Sequence, residues 1–132
     1  FFPVLLVDQM GVLSMLYESA DVVFIGGSLF KRGGQNPIEA AQFSKPIIHG
    51  PHIFNFEELY GALDRAGGAY GVRSEDELFQ KLRMLFEQPD LRKQMGAKAF
   101  QTVQSMKGAT QRTMDYLNRW IESQPSRAET SS

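Results

Sequence analysis

The chain has 132 residues, 42% of them hydrophobic, including ten Phe. That suffices for one domain with a real core. Fourteen Lys and Arg stand against 15 Asp and Glu with no basic stripe, so nothing in the charge pattern suits a nucleic-acid backbone. The absence of cysteine excludes disulfides, thiolate metal sites and a Cys nucleophile, and the only two histidines, His49 and His52, flank Gly50-Pro51 without a third ligand, so no metal or other cofactor is expected.

In chain order, Val4-Leu5-Leu6-Val7 is a wholly apolar run ending in Asp8, as expected of a strand buried on both faces. It starts without Met and without a basic leader, so it reads as a chain entered in mid-fold, a fragment of something longer. No stretch approaches the roughly 20 apolar residues of a membrane span. Leu13, Leu16 and Tyr17 recur at helical spacing, and Val22-Val23-Phe24-Ile25 is a second buried strand that stops at Gly26-Gly27. Asn36-Pro37 marks a helix start, packed through Ile38, Ala41 and Phe43 and ended by Lys45-Pro46. Ile47-Ile48 is the next strand. Phe56, Leu59, Tyr60 and Leu63 give a helix closed by Gly67-Gly68, and Ala69 to Val72 a weak strand.

Ser74 with Glu77 is a capping-box pattern, followed by Leu78, Leu82, Leu85 and Phe86 on one helical face. Two further helices are expected, Leu91 to Gln104 and Ala109 to Ile121, broken at Gly108. Met114, Leu117 and Trp120 form an apolar stripe expected mainly to pack into a core, though part of it would be exposed if the last helix crosses to another domain. Strands alternating with helices, each strand a continuous apolar run, predict an α/β fold: a Rossmann-like parallel sheet with helices on both faces and a helical C-terminal tail. The domain is expected over 1–122, with 123–132 as a disordered tail. In such sheets ligands bind beyond the carboxyl ends of the strands, where the glycine-rich loops are also expected to lie.

The richest of these loops runs from Gly26 to Glu39. Gly26, Gly27, Gly33 and Gly34 let backbone N–H groups approach a phosphate, and a helix opening at Pro37 adds its unpaired N–H groups. Ser28 can donate a hydroxyl, Lys31 or Arg32 can add charge, and Glu39 can accept from both hydroxyls of a ribose. The same residues also suit a purely structural role, with Asn36 as N-cap and Glu39 closing a capping-box-like pattern. Spacing leaves both readings open, for this is neither a Walker loop nor a G-x-G-x-x-G fingerprint.

Taken together, Val7 to Gly11, Ala20 to Leu29, Gly33 to Glu39, Lys45 to Phe56, Gly67-Gly68-Ala69 and Lys107-Gly108-Ala109 resemble the bacterial 3-deoxy-D-manno-octulosonic acid (Kdo) transferases of lipopolysaccharide assembly. The likeness covers about residues 3–121, and its most specific run is Gly26 to Phe56. It implies part of the C-terminal half of a two-Rossmann (GT-B) enzyme that moves Kdo from CMP-Kdo to a lipid A precursor, without a metal and with inversion. By motif match, Met10 and Gly11 would lie by the nucleotide. Gly26, Gly27, Ser28, Gly33, Gly34 and Asn36 would surround phosphate and sugar, and Glu39 would hold the ribose. Nothing carries over for Lys31 and Arg32.

The resemblance also implies what this chain lacks. The catalytic carboxylate belongs to an N-terminal domain that is not here, and that domain would also supply the acceptor side and the attachment to the cytoplasmic face of the inner membrane. Gln9 and Gln35 stand where many members have Thr and His. This chain alone is therefore expected to bind CMP weakly or not at all and to catalyse nothing. Self-association through an open sheet edge is a further expectation. Another GT-B transferase or epimerase using a UDP-sugar, and a non-catalytic flavodoxin-like interaction module, remain alternatives.

The remaining polar and aromatic residues are less specific. His49 and His52 suit either a donor or acceptor contact or a turn with backbone partners. Phe54, Asn55 and Phe56 suit either the lining of a cleft towards a missing domain or, more simply, a hydrophobic staple with Asn55 capping the next helix. Asp8 sits at a strand end where it could face the site, and Asp21 reads as turn chemistry.

Overall fold

A computed structural model describes residues 13–26, 36–54 and 56–124. The expected strand at 4–7, Asp8, Met10, Gly11, the loop 27–35, Asn55 and the tail from 125 lie outside the described residues. The elements are α1 (Leu13–Ser19), β1 (Val23–Phe24), α2 (Ile38–Gln42), β2 (Ile47–His49), α3 (Glu57–Ala66), β3 (Ala69–Gly71), α4 (Glu75–Glu87) and α5 (Pro89–Ser123). The strands form a parallel sheet in the order β1-β2-β3, with Val23 opposite Ile47 and Ile47 opposite Ala69.

Alternation along the strands divides the core into two layers. Val23, Ile25, Ile47 and Ala69 face Ala40 and Ala41 of α2, Tyr60 and Leu63 of α3, and Ala99 and Val103 of α5. Phe24, Ile48, Tyr70 and Val72 face the other way, towards Leu78, Leu82 and Leu85 of α4 and Leu91 and Met95 of α5. The expected α/β sheet with helices on both faces is therefore present. Fully burying a side chain such as Ile47 or Ile48 contributes about 1.5–3 kcal/mol, which explains why such short strands persist.

Local chemistry sets the element ends. α3 stops at Gly67, whose φ of 83° lies in the left-handed region that glycine enters without a Cβ penalty. Ser74 Oγ accepts from the Glu77 N–H at 3.2 Å, while the Glu77 carboxylate reaches past the cap to the Arg73 N–H at 2.8 Å. At the α4–α5 corner Pro89 opens α5, and Arg92 Nη1 donates to the Leu85 and Phe86 carbonyls that end α4.

Three expectations change. Gly67-Gly68 lies at the amino end of β3, away from the ligand edge, because it closes α3 rather than leaving a strand. There the Gly68 backbone presses on Ala99, so that a Cβ at Gly68 would overlap the Ala99 backbone. Gly108 does not break the last helix. α5 is continuous through it for 35 residues, or about 52 Å at 1.5 Å per residue. A helical glycine costs only about 1 kcal/mol relative to alanine, too little to stop a helix whose neighbours all favour it.

The stripe expected in the core is exposed: Leu117 is 44% and Trp120 54% accessible, and Met114 and Ile121 are similar. It continues the buried face of α5 (Ala99, Val103, Met106, Thr110, Met114, Leu117, Ile121) at spacings of three and four, but it runs past the end of the sheet that covers the first half. Phe86 is likewise exposed, with the Arg92 guanidinium 5.9 Å from its ring centre. No helix among the described residues is long and apolar enough to cross a membrane.

Two glycines of α5 should respond oppositely to alanine. At Gly96 a methyl would overlap the carbonyl of Ser44, a backbone atom in a turn already held at φ 57°, so Gly96→Ala should destabilise by about 3 kcal/mol. At Gly108 the added Cβ meets only the Arg112 guanidinium at 3.6 Å, and Gly108→Ala should stabilise by about 0.5–1 kcal/mol. Urea unfolding of both variants beside the parent checks the signs.

Candidate functional site at the carboxyl edge of the sheet

Because the strands are parallel, each chain exit and the following helix entry fall on one edge. The β1 exit carries Ile25 and Gly26, and the next described residues are Asn36 and Pro37, which open α2. Asn36 Oδ1 accepts from the Ile38 N–H at 2.9 Å, and the Pro37 carbonyl accepts from the Ala41 N–H at 3.1 Å. Pro37 and Ala40 are buried and fix the helix, while Asn36 and Glu39 are exposed. Three of the sequence-predicted site residues, Gly26, Asn36 and Glu39, thus share the carboxyl edge. Met10, Gly11, Gly27, Ser28, Gly33 and Gly34 lie outside the described residues. The expected N-cap is corrected: Pro37 holds that position and no side chain caps the helix, while Asn36, one residue earlier, accepts from the Ile38 N–H and Glu39 is exposed.

Electrostatics connects Glu39 to the interior. Partial burial, with the Glu39 charge nearby, raises the Tyr17 hydroxyl above the ordinary tyrosine value. Burial, then Tyr17 and Asp64, raises Tyr60 further still. Both side chains therefore remain phenols over the physiological range, hydrogen-bond donors rather than anions.

The second exit, after β2, holds a feature that sequence reasoning missed. His49 is 4% exposed. Its Nε2 lies 2.8 and 3.0 Å from the two carboxylate oxygens of Asp64 on α3, and its Nδ1 lies 2.7 Å from the Gly50 carbonyl. Tyr60 packs on the ring at 4.6 Å between centroids, and Gly71 of β3 leaves room for it, since a Cβ there would stand 3.3 Å from Cε1. Burial alone would lower the His49 pKa, but the hydrogen bonds to Asp64 and Gly50 and the Asp64 charge outweigh it, and the net shift is upward. With both ring nitrogens facing acceptors, the doubly protonated ring has no lone pair to offer and does not act as a general base in that form.

Asp64 lies 15 residues from His49 in sequence. The one local signal is its spacing of four from Tyr60, which puts it on the buried face of α3 one turn further on. Of the residues read as a staple, Phe56 packs against the core, whereas Phe54 is half exposed and stands 5.9 Å from the His52 ring. Asp21 is exposed in the turn before β1.

A cavity of about 540 Å³ opens beside this pair, bounded by Pro51, Asp64, Gly71, Arg73 and Glu77 at the exits of β2 and β3. A second, apolar one of about 430 Å³ lies between α2, α3 and α5, bounded by Ile38, Leu59, Val103 and Met106. Among the described residues, no group of three or more His, Asp and Glu side chains could hold a metal ion.

No family model matches the chain. Over 120 residues, 90% of its length, it is 37% identical to a 3-deoxy-D-manno-octulosonic acid transferase of Haemophilus influenzae. The chain is a relative of the Kdo transferases. A transferase of the same description from Bordetella pertussis is 36% identical over 118 residues, and one from Chlamydia pneumoniae 30% identical over 122. The chain spans 28% of the length of each of these relatives. In structure it is similar to the C-terminal CMP-Kdo binding domain of WaaA from Acinetobacter baumannii, with a TM-score of 0.70 and 26% sequence identity, covering 74% of this chain and 51% of that one. The shared fold is that of the C-terminal half, as the resemblance of the motifs implied.

The raised His49 pKa has a thermodynamic sign. A group that binds its proton more tightly when folded stabilises the fold fully below its unfolded value, about 6.5, and loses that contribution as pH rises through the folded value. His49→Gln should therefore be most destabilising, relative to the parent, below pH of about 6.5, with the gap narrowing at alkaline pH. Denaturant melts across pH read this directly; a gap that does not change with pH would contradict the charged pair.

Proposed function

We propose that this chain is the donor-binding part of a glycosyltransferase that takes Kdo from CMP-Kdo and passes it to a lipid A precursor. The observation that supports this most strongly is the likeness, at a TM-score of 0.70, to the C-terminal CMP-Kdo binding domain of WaaA. The geometry agrees with it. Gly26, Asn36 and Glu39 share the carboxyl edge of a parallel sheet, where nucleotides bind in folds of this kind. In this reading the opening of α2 lies near the phosphate and the exposed Glu39 carboxylate accepts from the ribose hydroxyls. Met10, Gly11, Gly27, Ser28, Gly33 and Gly34 enter the proposal through sequence alone. Lys31 and Arg32 have no assigned role.

The acceptor and the catalytic carboxylate would belong to the portion of the relatives that this chain does not match, as would attachment to the cytoplasmic face of the inner membrane. Within a whole transferase the exposed face of α5 (Met114, Leu117, Trp120 and Ile121) would be covered by that portion. Residues 1–122 would then form the nucleotide-sugar domain, with 123–132 as its tail.

The test is a titration of CMP and of UMP into the chain extended at its amino end, followed by the amide resonances of Gly26, Asn36 and Glu39. CMP should shift them and UMP should not. Glu39→Ala should weaken CMP binding about tenfold, the loss of one charge-assisted hydrogen bond of roughly 1.5 kcal/mol or more, without lowering stability. Preference for UMP would point to a UDP-sugar enzyme, and silence to both would leave an interaction module. A variant that unfolds while its affinity is unchanged would assign Glu39 to the cap.

A further inference from the structure

Gly50-Pro51 begins the connection from β2 to α3, so the placement of this turn decides how Ile53, Phe54 and Phe56 meet the carboxyl edge. The Gly50 carbonyl is held by His49 Nδ1 at 2.7 Å, while Nε2 of the same ring faces both oxygens of Asp64. A carbonyl never donates a hydrogen bond, and an ionised carboxylate does not either. A neutral imidazole carries one N–H and can satisfy only one of the two. Both contacts together require the imidazolium.

The groups facing the ring can be named element by element. From α3 come the Asp64 carboxylate and the Tyr60 ring. From β3 comes the backbone of Gly71. From the turn after β3 and the first turn of α4, Arg73 and Glu77 border the same cavity, with the Glu77 carboxylate bound to the Arg73 N–H. The charge in direct contact with His49 is that of Asp64.

We propose that Asp64 is a positioning residue: by keeping His49 an imidazolium it fixes the Gly50 carbonyl, and with it the β2–α3 loop that rims the candidate donor site. When the ring loses its second proton, the surviving N–H stays with the Asp64 charge and the Nδ1 lone pair is left against the Gly50 oxygen. Two lone pairs at hydrogen-bond distance repel, so the turn moves. The rim of the site is thereby set by pH. The inference relies on the donor-site reading for what the loop meets, but the coupling itself is a property of this chain without ligand.

NMR of the 132-residue chain tests it, through the His49 ring nitrogens and the amides of Gly50, His52 and Ile53, followed across pH on both sides of about 6.5, the ordinary histidine value. Both ring nitrogens should be protonated at that pH, and the three amides should shift with the midpoint of His49. Asp64→Asn should weaken proton binding by His49 about tenfold or more and carry the amide transition with it, and Asp64→Glu should restore part of the loss. A neutral His49 at the ordinary value, or amides indifferent to its titration, would overturn the proposal. If the Asn variant does not fold, the parent titration decides alone. CMP titrated into the amino-extended chain separates the two ideas: no CMP response with the coupling intact overturns the donor reading only, and a CMP response without the coupling overturns this one only.

Discussion

β2 is hydrogen-bonded along both edges, to β1 and to β3, and is covered on both faces by helices. Whatever stands in that strand is withdrawn from water before its own chemistry is considered. For Ile47 and Ile48 this is the source of their stabilisation. For His49, the last residue of the strand, it is a demand: a buried imidazole must find partners for both nitrogens, and the fold provides them from two directions. The Asp64 carboxylate comes from α3 and the Gly50 carbonyl from the turn the strand is about to enter. The hold on that turn, the contact with Tyr60 and the tight fit against Gly71 all involve this one ring.

The sequence made the order of elements legible where a residue has a single physical use. Gly67 ends α3 in the left-handed region and Ser74 and Glu77 cap α4, each as expected, whereas α2 takes Pro37 rather than Asn36 as its N-cap. The buried runs at 22–25 and 47–48 could hardly be anything but strands in a sheet covered on both faces. It was less legible where an outcome depends on sums or on distant partners. Gly108 has the propensity of a breaker, yet one glycine is outweighed by the turns on either side of it. Met114, Leu117 and Trp120 have a periodicity that says which face of the helix is apolar, but not whether anything covers that face. Asp64 could not be matched to His49 at all from spacing, because their meeting depends on how α3 lies across the sheet.

The candidate site divides in the same way. Gly26, Asn36 and Glu39 were found from the glycine-rich loop and the helix start, and the carboxyl edge unites them as parallel topology requires. The hydrogen bond from the Ile38 N–H to Asn36 orders the turn ahead of the helix without engaging the exposed Glu39, so that turn and the proposed ribose contact are compatible.

The long helix α5 has a consequence for how stability is distributed. Its first half is tied into the sheet by Gly96 beneath Ser44 and by Ala99 against Gly68, and its outer half is exposed on every side. One continuous run of hydrogen bonds thus crosses two regimes of opening. Burial of this kind is expected to tie exchange of the amides around Ala99 and Val103 to unfolding of the whole domain, and to let those beyond Gly108 exchange by fraying that leaves the sheet intact. A single element of secondary structure is in this sense two cooperative units, and the boundary between them is where the sheet ends.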